Sequence, residues 1–230
     1  MNSEPLTIAE RAKELEVSIK NKKVPISFIK SNVFTSYFLP DVVPTAQKRW
    51  EAEGVNFGDN WRKYYLIPFQ ATKSTKLQSL QFRIVHRYFP TRRFLCVRNV
   101  VDDPFCDNCG EVETLEHYFF ECITVKTFWD ELMTILNAKL PPRKGIVLSC
   151  YNVIFGGLGY SQVVNLIILV AKQFITRERA REGIINISLF RPCILSAFNM
   201  DKTAAFQNQN MARFKERWAA FITEAGSLDL

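Results

Sequence analysis

The chain has 230 residues, of which 47% are hydrophobic and 23% charged, so it can bury a substantial core and is not expected to be disordered. Its net charge of +7 favours an anionic partner. The N-terminal residues lack the apolar run of a secretory signal, and the most apolar stretch, residues 163–171, is shorter than the roughly 20 residues that cross a bilayer. We therefore expect an intracellular protein, nuclear or cytoplasmic, with no membrane contact and with reduced cysteines.

Hydrophobic residues recur at helical spacing along most of the chain, and few segments alternate with a period of two. A capping box, Thr7 with Glu10, opens the first predicted helix, and Ser74 and Ser161 are candidate N-caps of later ones. We predict a mainly α fold, a helical domain with a small embedded CCHC zinc knuckle. The predicted helices cover residues 7–21, 45–53, 59–66, 74–88, 125–138, 161–182 and 207–225.

Three regions are predicted from the order of these helices. They are an N-terminal helical and extended region (1–57), a basic helix with the cysteine-rich module (58–140), and a C-terminal helical region (141–230). A linker containing Gly156, Gly157 and Gly159 is expected in the third region. The helix that follows is apolar on nearly every face, which is typical of a helix at the centre of a core.

Four potential metal ligands lie in one run, FCDNCGEVETLEHYFFEC, with the spacing C-x2-C-x7-H-x4-C. They are Cys106, Cys109, His117 and Cys122. Zinc in structural sites prefers four tetrahedral nitrogen and sulfur ligands, and Gly110 allows the chain to reverse after the second cysteine. We predict one structural zinc ion. Because four protein ligands leave no open position for water, we expect no metal catalysis.

Other interpretations of the cysteines stay open. The four residues could be unrelated members of one loop, or a disulfide could form in an oxidising compartment. Cys96 is close enough in sequence to be a substitute ligand. Otherwise Cys96, Cys150 and Cys193 have no partners at ligand spacing, and we expect them to be buried as small hydrophobic residues.

A basic segment, residues 60–101, precedes the cysteines. It holds nine Lys and Arg and no Asp or Glu, whereas the whole chain carries only +7. Cations neutralise phosphates, so we expect contacts with nucleic acid, with RNA or single strands favoured. The predicted contact residues are Lys73, Lys76, Arg83, Arg87, Arg92 and Arg93.

Aromatic residues are interleaved in the basic segment. Aromatic rings can stack on unpaired bases, but we favour core packing for most of these. The CCHC segment, residues 102–122, carries seven acidic side chains and should be repelled by phosphate. We therefore expect the zinc-binding loop to position the basic helix and not to contact nucleic acid itself.

Several runs stand in a recognisable order: KRWEAEGVNFGDNWRKYY with Trp50 and Trp61, then QFRIVHRYFPT, the CCHC set, and TFWDEL. Together they resemble the zinc-binding segment at the C-terminal end of LINE-type non-LTR retrotransposon reverse transcriptases. The likeness is strong over residues 49–136 and weaker out to Trp218. The spacing before His117 is longer than in retroviral nucleocapsid knuckles, so recognition of that type is not implied.

The resemblance implies a segment that follows a polymerase, binds template RNA and supports target-primed reverse transcription. The polymerase domain of the same polyprotein is then an expected partner. The chain has no YxDD-type carboxylate pair, and Asp102–Asp103 is an isolated dipeptide, so we do not expect an enzyme. The alternative is a domesticated retrotransposon remnant that acts as a protein–protein interaction module.

Overall fold

The computed structural model describes residues 16–19, 22–25, 29 and 43–230. The chain forms two compact units, Met1–Lys48 and Arg49–Leu230. In the first unit, β1 (Glu16–Ile19) and β2 (Lys22–Pro25) pair as an antiparallel hairpin. The helix predicted over residues 7–21 is therefore wrong at residues 16–19, where β-branched Val17 and Ile19 suit a strand. Residues 7–15 lie outside the described part, and the predicted division into three regions stays a prediction.

The described chain is mainly helical, which confirms the predicted fold class. A single-turn π-helix covers His117–Glu121, and short 3-10 turns cover Gly58–Asn60, Pro142–Lys144 and Ala219–Phe221. The α-helices are α1 (Thr45–Ala52), α2 (Trp61–Ala71), α3 (Thr75–Val85), α4 (Arg92–Cys96), α5 (Ile123–Lys139), α6 (Cys150–Phe155), α7 (Gln162–Arg179), α8 (Ile187–Gln207) and α9 (Met211–Trp218).

Helix α7 lies at the centre of the second unit, as its apolar sequence predicts. It packs against α2, α3, α8 and α9, and the Ser161 side chain caps it by accepting from the Val164 amide at 3.2 Å. Lys172 of α7 is fully buried, donates to the Ile154 carbonyl at 3.3 Å and also bonds Gln81. Burial lowers the pKa of Lys172 to about 7. Within the described residues, no helix is long and apolar enough to span a bilayer.

Two helix ends differ from the sequence-based expectation. Helix α2 continues through Pro68 to Ala71, although a stop before this proline was expected. Helix α3 ends at Val85 instead of Tyr88, because Arg87 adopts a left-handed backbone with φ of 57°. Tyr88 is consequently 56% exposed.

Two buried segments were missed. The region expected to be a glycine-containing linker includes α6, whose Ile154 and Phe155 are fully buried. Helix α8 runs through Pro192, a residue that normally argues against a helix. At the C-terminus, the predicted helix 207–225 is reduced to α9 and the 3-10 turn after it, since Gln209 has a φ of 53°.

We expect Gly156→Ala to destabilise the protein by about 2 kcal/mol or more. Gly156 has a φ of 90°, and an added Cβ would lie 2.9 Å from both Asn165 Oδ1 and Ile67 Cγ2. Gly54→Ala is the matched control, because its φ of 87° is equally strained but nothing lies within 4 Å. Urea unfolding gives the free energy of unfolding of both variants. Equal losses of stability would show that the close contacts at Gly156 do not contribute to the effect.

Candidate metal centre

A tight reversal of the chain brings the first two cysteines together. The Cys109 and Gly110 amides both donate to the Cys106 carbonyl, at 3.4 and 2.9 Å, and Gly110 adopts a φ of 76°. An isolated bridge between Phe105 and Val112 closes the loop. The loop therefore presents both thiol groups on one side, as expected for a C-x2-C turn.

The other two ligand candidates flank the single π-helical turn. His117 begins this turn, and the Cys122 amide donates to the His117 carbonyl at 3.0 Å. The wide i→i+5 spacing of the turn lets two side chains five residues apart reach the same point. Trp129 Nε1 donates to the Phe119 carbonyl at 2.6 Å and so fixes the turn to α5.

The four side chains converge as the sequence predicts. Their potential ligand atoms all lie within 4.8 Å of one another. Cys106 Sγ lies 3.9 Å from Cys122 Sγ, and Cys109 Sγ lies 3.2 Å from His117 Nε2. With Zn–S bonds of about 2.3 Å, two thiolates on one tetrahedral zinc are about 3.8 Å apart. The cluster is therefore suited to one zinc ion.

Local electrostatics favour the protonation states that metal binding requires at His117 and Cys122, whereas burial raises the pKa of the Cys109 thiol. Burial lowers the pKa of His117, and Arg179 lowers it further, so the imidazole remains neutral to more acidic pH. The pKa of Cys122 is also lowered. Burial opposes this shift, but hydrogen bonds with Thr124 and the charge of Arg179 outweigh it. A neutral histidine and ionised thiolates are the forms that bind zinc.

Arg179, at the end of α7, contacts the cluster directly. Its Nη2 donates to Cys106 Sγ at 3.1 Å and to Cys122 Sγ at 3.2 Å, and its Nη1 donates to the Tyr118 carbonyl at 3.4 Å. The Arg179 side chain is 6% exposed and also pairs with Glu113 at 3.5 Å. Sequence reasoning missed this residue, because 57 positions separate it from Cys122 and no spacing pattern marks it.

Glu113 joins the CCHC segment to α4. It is 7% exposed, and its carboxylate accepts from the Arg92 amide at 2.8 Å while it pairs with Arg179. The Arg92 side chain in turn pairs with Asp103 at 3.0 Å and Asp107 at 2.9 Å. The acidic side chains of the CCHC segment therefore hold the start of α4 against the metal cluster.

The six predicted nucleic-acid contacts fall into two groups. Arg87 pairs with Glu53 and stacks on Trp50 at 3.6 Å, and Arg92 pairs with Asp103 and Asp107. The other four are exposed and make no side-chain hydrogen bond or ion pair with any described residue; they are Lys73, Lys76, Arg83 and Arg93. Contact of these six residues with nucleic acid stays a prediction.

The interleaved aromatic residues also divide. Trp61 and Phe89 are buried as expected for core residues. Phe82 and Tyr88 are more than half exposed, and the Phe82 ring stacks on His86 at 4.1 Å. Core packing therefore accounts for only some of the rings.

The remaining thiols lie outside the cluster. Cys96, Cys150 and Cys193 are half-buried, and Cys150 and Cys193 pack against the core, so the expectation that the three are buried holds only in part. Cys96 Sγ donates to the Asp102 carbonyl at 3.8 Å, and Cys96 is not one of the four clustered side chains. None of the described cysteines is in a disulfide.

Comparison with known protein families agrees with the geometry. Residues 47–129 match the family described as zinc-binding in reverse transcriptase. The resemblance to a zinc-binding segment of reverse transcriptases is thereby confirmed for these residues, which include all four clustered side chains, and the LINE type stays a prediction. Arg179 lies outside the matched residues. No curated protein and no solved structure matches the chain.

Proposed function

We propose that the chain is a non-catalytic module in which Cys106, Cys109, His117 and Cys122 hold one structural zinc ion. When bound, zinc would link the C-x2-C turn to the π-helical turn and so stabilise the local fold. Four protein ligands give a closed site, which suits a structural role. The convergence of these four side chains in a segment that matches a zinc-binding family carries this proposal.

The function we propose for the module is binding of single-stranded nucleic acid, with RNA favoured. The observation that supports it is the basic segment, which has nine cations and no acids. Four of the six predicted contact residues are exposed and have no partner among the described residues. They lie on or beside α3 and α4, and α4 is held to the metal cluster through Glu113. The polymerase domain of a common polyprotein is the partner protein we propose.

Binding of RNA should weaken steeply with salt. Each phosphate neutralised on a single strand contributes about −0.7 to the slope of log affinity against log salt. Arg83→Glu should lower the affinity for a single-stranded oligoribonucleotide about tenfold and make the slope shallower, because Arg83 is exposed and unpaired in the described chain. Fluorescence anisotropy over a salt series gives both quantities.

Lys126→Glu is the matched control for this charge reversal. Lys126 is an exposed cation of α5 and lies outside the basic segment. The Lys126→Glu variant should bind the oligonucleotide as tightly as the unchanged protein does. An affinity that does not change with salt concentration, or an equal loss of affinity in the two variants, would contradict the proposed function.

A second candidate is a protein-interaction module, as expected of a domesticated remnant. The supporting observation is that exposed acidic side chains, including Glu111, adjoin the apolar residues Phe105 and Val112, which are 49% and 39% exposed. Nuclease treatment separates the candidates. A partner that stays bound after nucleic acid is digested, and is lost on replacing Phe105 by serine, would favour this second function over the first.

A further inference from the structure

A second group of cations lies apart from the metal centre, in a cleft of about 450 Å³. The end of α2, the link between α2 and α3, the start of α7, and α8 and α9 with their link contribute its lining residues. Lys73 of the basic segment lies here together with Arg213 and Arg217 of α9. The predicted contact residues all lie in the basic segment, and the C-terminal helix α9 adds two further cations beside one of them.

Arg217 is fixed in the wall of the cleft. Its guanidinium pairs with Asp201 at 3.4 Å and donates to the Ala71 carbonyl. Asp201 also accepts from Trp218 Nε1 at 3.2 Å. The Nε of Arg217 is buried without a hydrogen-bond partner in the described chain. The pKa of Arg217 is lowered, mainly by burial. Asp201 opposes this shift and the nearby Arg213 adds to it. The surroundings of Arg217 therefore disfavour its positive charge.

The cleft keeps an excess of positive charge. Asp201 is the one carboxylate among its described lining residues, and it is already paired with Arg217. Lys73 and Arg213 are exposed and have no hydrogen-bond or ion-pair partner among the residues that the structure describes. An anion bound between Lys73 and Arg213 would offset this charge, and a phosphate can accept hydrogen bonds from both side chains.

An aromatic ring and amide groups border the same cleft. Phe69 of α2 lines the cleft and is 52% exposed, so its side chain is accessible to a planar group. Asn208 and Asn210 also line the cleft and carry amide groups, although Asn208 Nδ2 already donates to the Ala204 carbonyl at 2.7 Å. A volume of about 450 Å³ is in the range of clefts that hold small organic ligands.

We propose that this cleft binds one nucleotide of a single-stranded nucleic acid, with its phosphate on Lys73 and Arg213 and its base against Phe69. This inference rests on the proposed function and extends it to the C-terminal helices, which lie outside the matched residues 47–129. The phosphate of the nucleotide would neutralise the two cations. Its base would stack on the exposed phenylalanine ring, since bases stack on aromatic side chains without strong sequence preference.

Two substitutions with matched controls test the site in the full chain. Arg213→Gln should weaken binding of a short oligouridine about fivefold and reduce the salt slope by about 0.7. Lys215→Gln removes the same charge from an exposed position of α9 that does not line the cleft, and should have little effect. Phe69→Ala should weaken binding about fivefold or more, whereas Phe206→Ala, at a ring 74% exposed elsewhere, should not.

The outcomes separate this inference from the function on which it rests. If the unchanged protein does not bind oligouridine at all, the proposed function fails. If it binds and Arg83→Glu weakens binding, but Arg213→Gln and Phe69→Ala equal their controls, the proposed function stands and the cleft assignment is overturned. Losses in Arg213→Gln and Phe69→Ala, with circular dichroism spectra unchanged, support the assignment.

Discussion

Cys106→Ser is expected to lose most of the bound zinc and to lower the free energy of unfolding by about 3–5 kcal/mol. Cys106 is 2% exposed, and its sulfur lies 3.9 Å from that of Cys122 and 3.1 Å from Arg179 Nη2. Serine cannot replace a soft thiolate ligand, so the stabilisation that zinc binding adds at the free zinc concentration of the experiment is lost. Chelator treatment of the unchanged protein should produce a similar loss.

Cys96→Ser is the control for this substitution. The change of atom is the same, but Cys96 is half-buried and lies outside the cluster. It should retain zinc and unfold near the temperature of the unchanged protein. Zinc content by mass spectrometry and thermal unfolding with and without chelator measure both effects. If Cys96→Ser lost zinc and Cys106→Ser kept it, the ligand assignment would be wrong.

Arg179→Met is expected to lower zinc affinity about 10- to 100-fold, the usual cost of losing a hydrogen bond to a metal ligand. Three thiolates and a neutral histidine on a divalent ion leave a net negative charge, which the buried guanidinium offsets. The substitution also leaves Glu113 buried without its cation, and breaking such a pair costs about 3–5 kcal/mol. Competition with a chromogenic chelator measures the affinity, and urea unfolding measures the stability.

Three companion variants show whether this effect is specific. Arg181→Met removes an exposed cation two residues away and should change neither quantity. Arg179→Lys should restore the charge but only part of the affinity. The guanidinium places Nη2 on both sulfurs while Nη1 holds Glu113 and the Tyr118 carbonyl, and a single ammonium cannot reproduce this planar arrangement. Glu113→Gln combined with Arg179→Met should destabilise less than the sum of the single changes. Unchanged zinc affinity in Arg179→Met would show that the contact has no influence on the metal.

The metal centre was predictable from sequence because its determinants are local. Cys106, Cys109, His117 and Cys122 lie within one short run, and Gly110 supplies the left-handed turn that the spacing requires. The central position of α7 was predictable for a similar reason, since its apolar residues surround the helix. Such signals require no knowledge of distant partners.

Long-range pairing could not be read from the sequence. Arg179 and Glu113 are 66 positions apart, and neither has a local pattern that points to the other. Arg87 and Arg92 look like free cations in the basic segment, yet each pairs with a carboxylate that lies outside that segment. Helix α8 was missed because tertiary packing of buried Phe190 and Ile194 outweighs the disfavoured Pro192.

X-ray absorption at the zinc edge of the purified full chain tests the central claim most directly. One zinc ion per chain should be found, with three sulfur atoms at about 2.3 Å and one nitrogen at about 2.0 Å. A chain that folds in the presence of zinc but retains none would contradict the claim. So would a bound zinc ion whose nearest neighbours are mainly oxygen atoms.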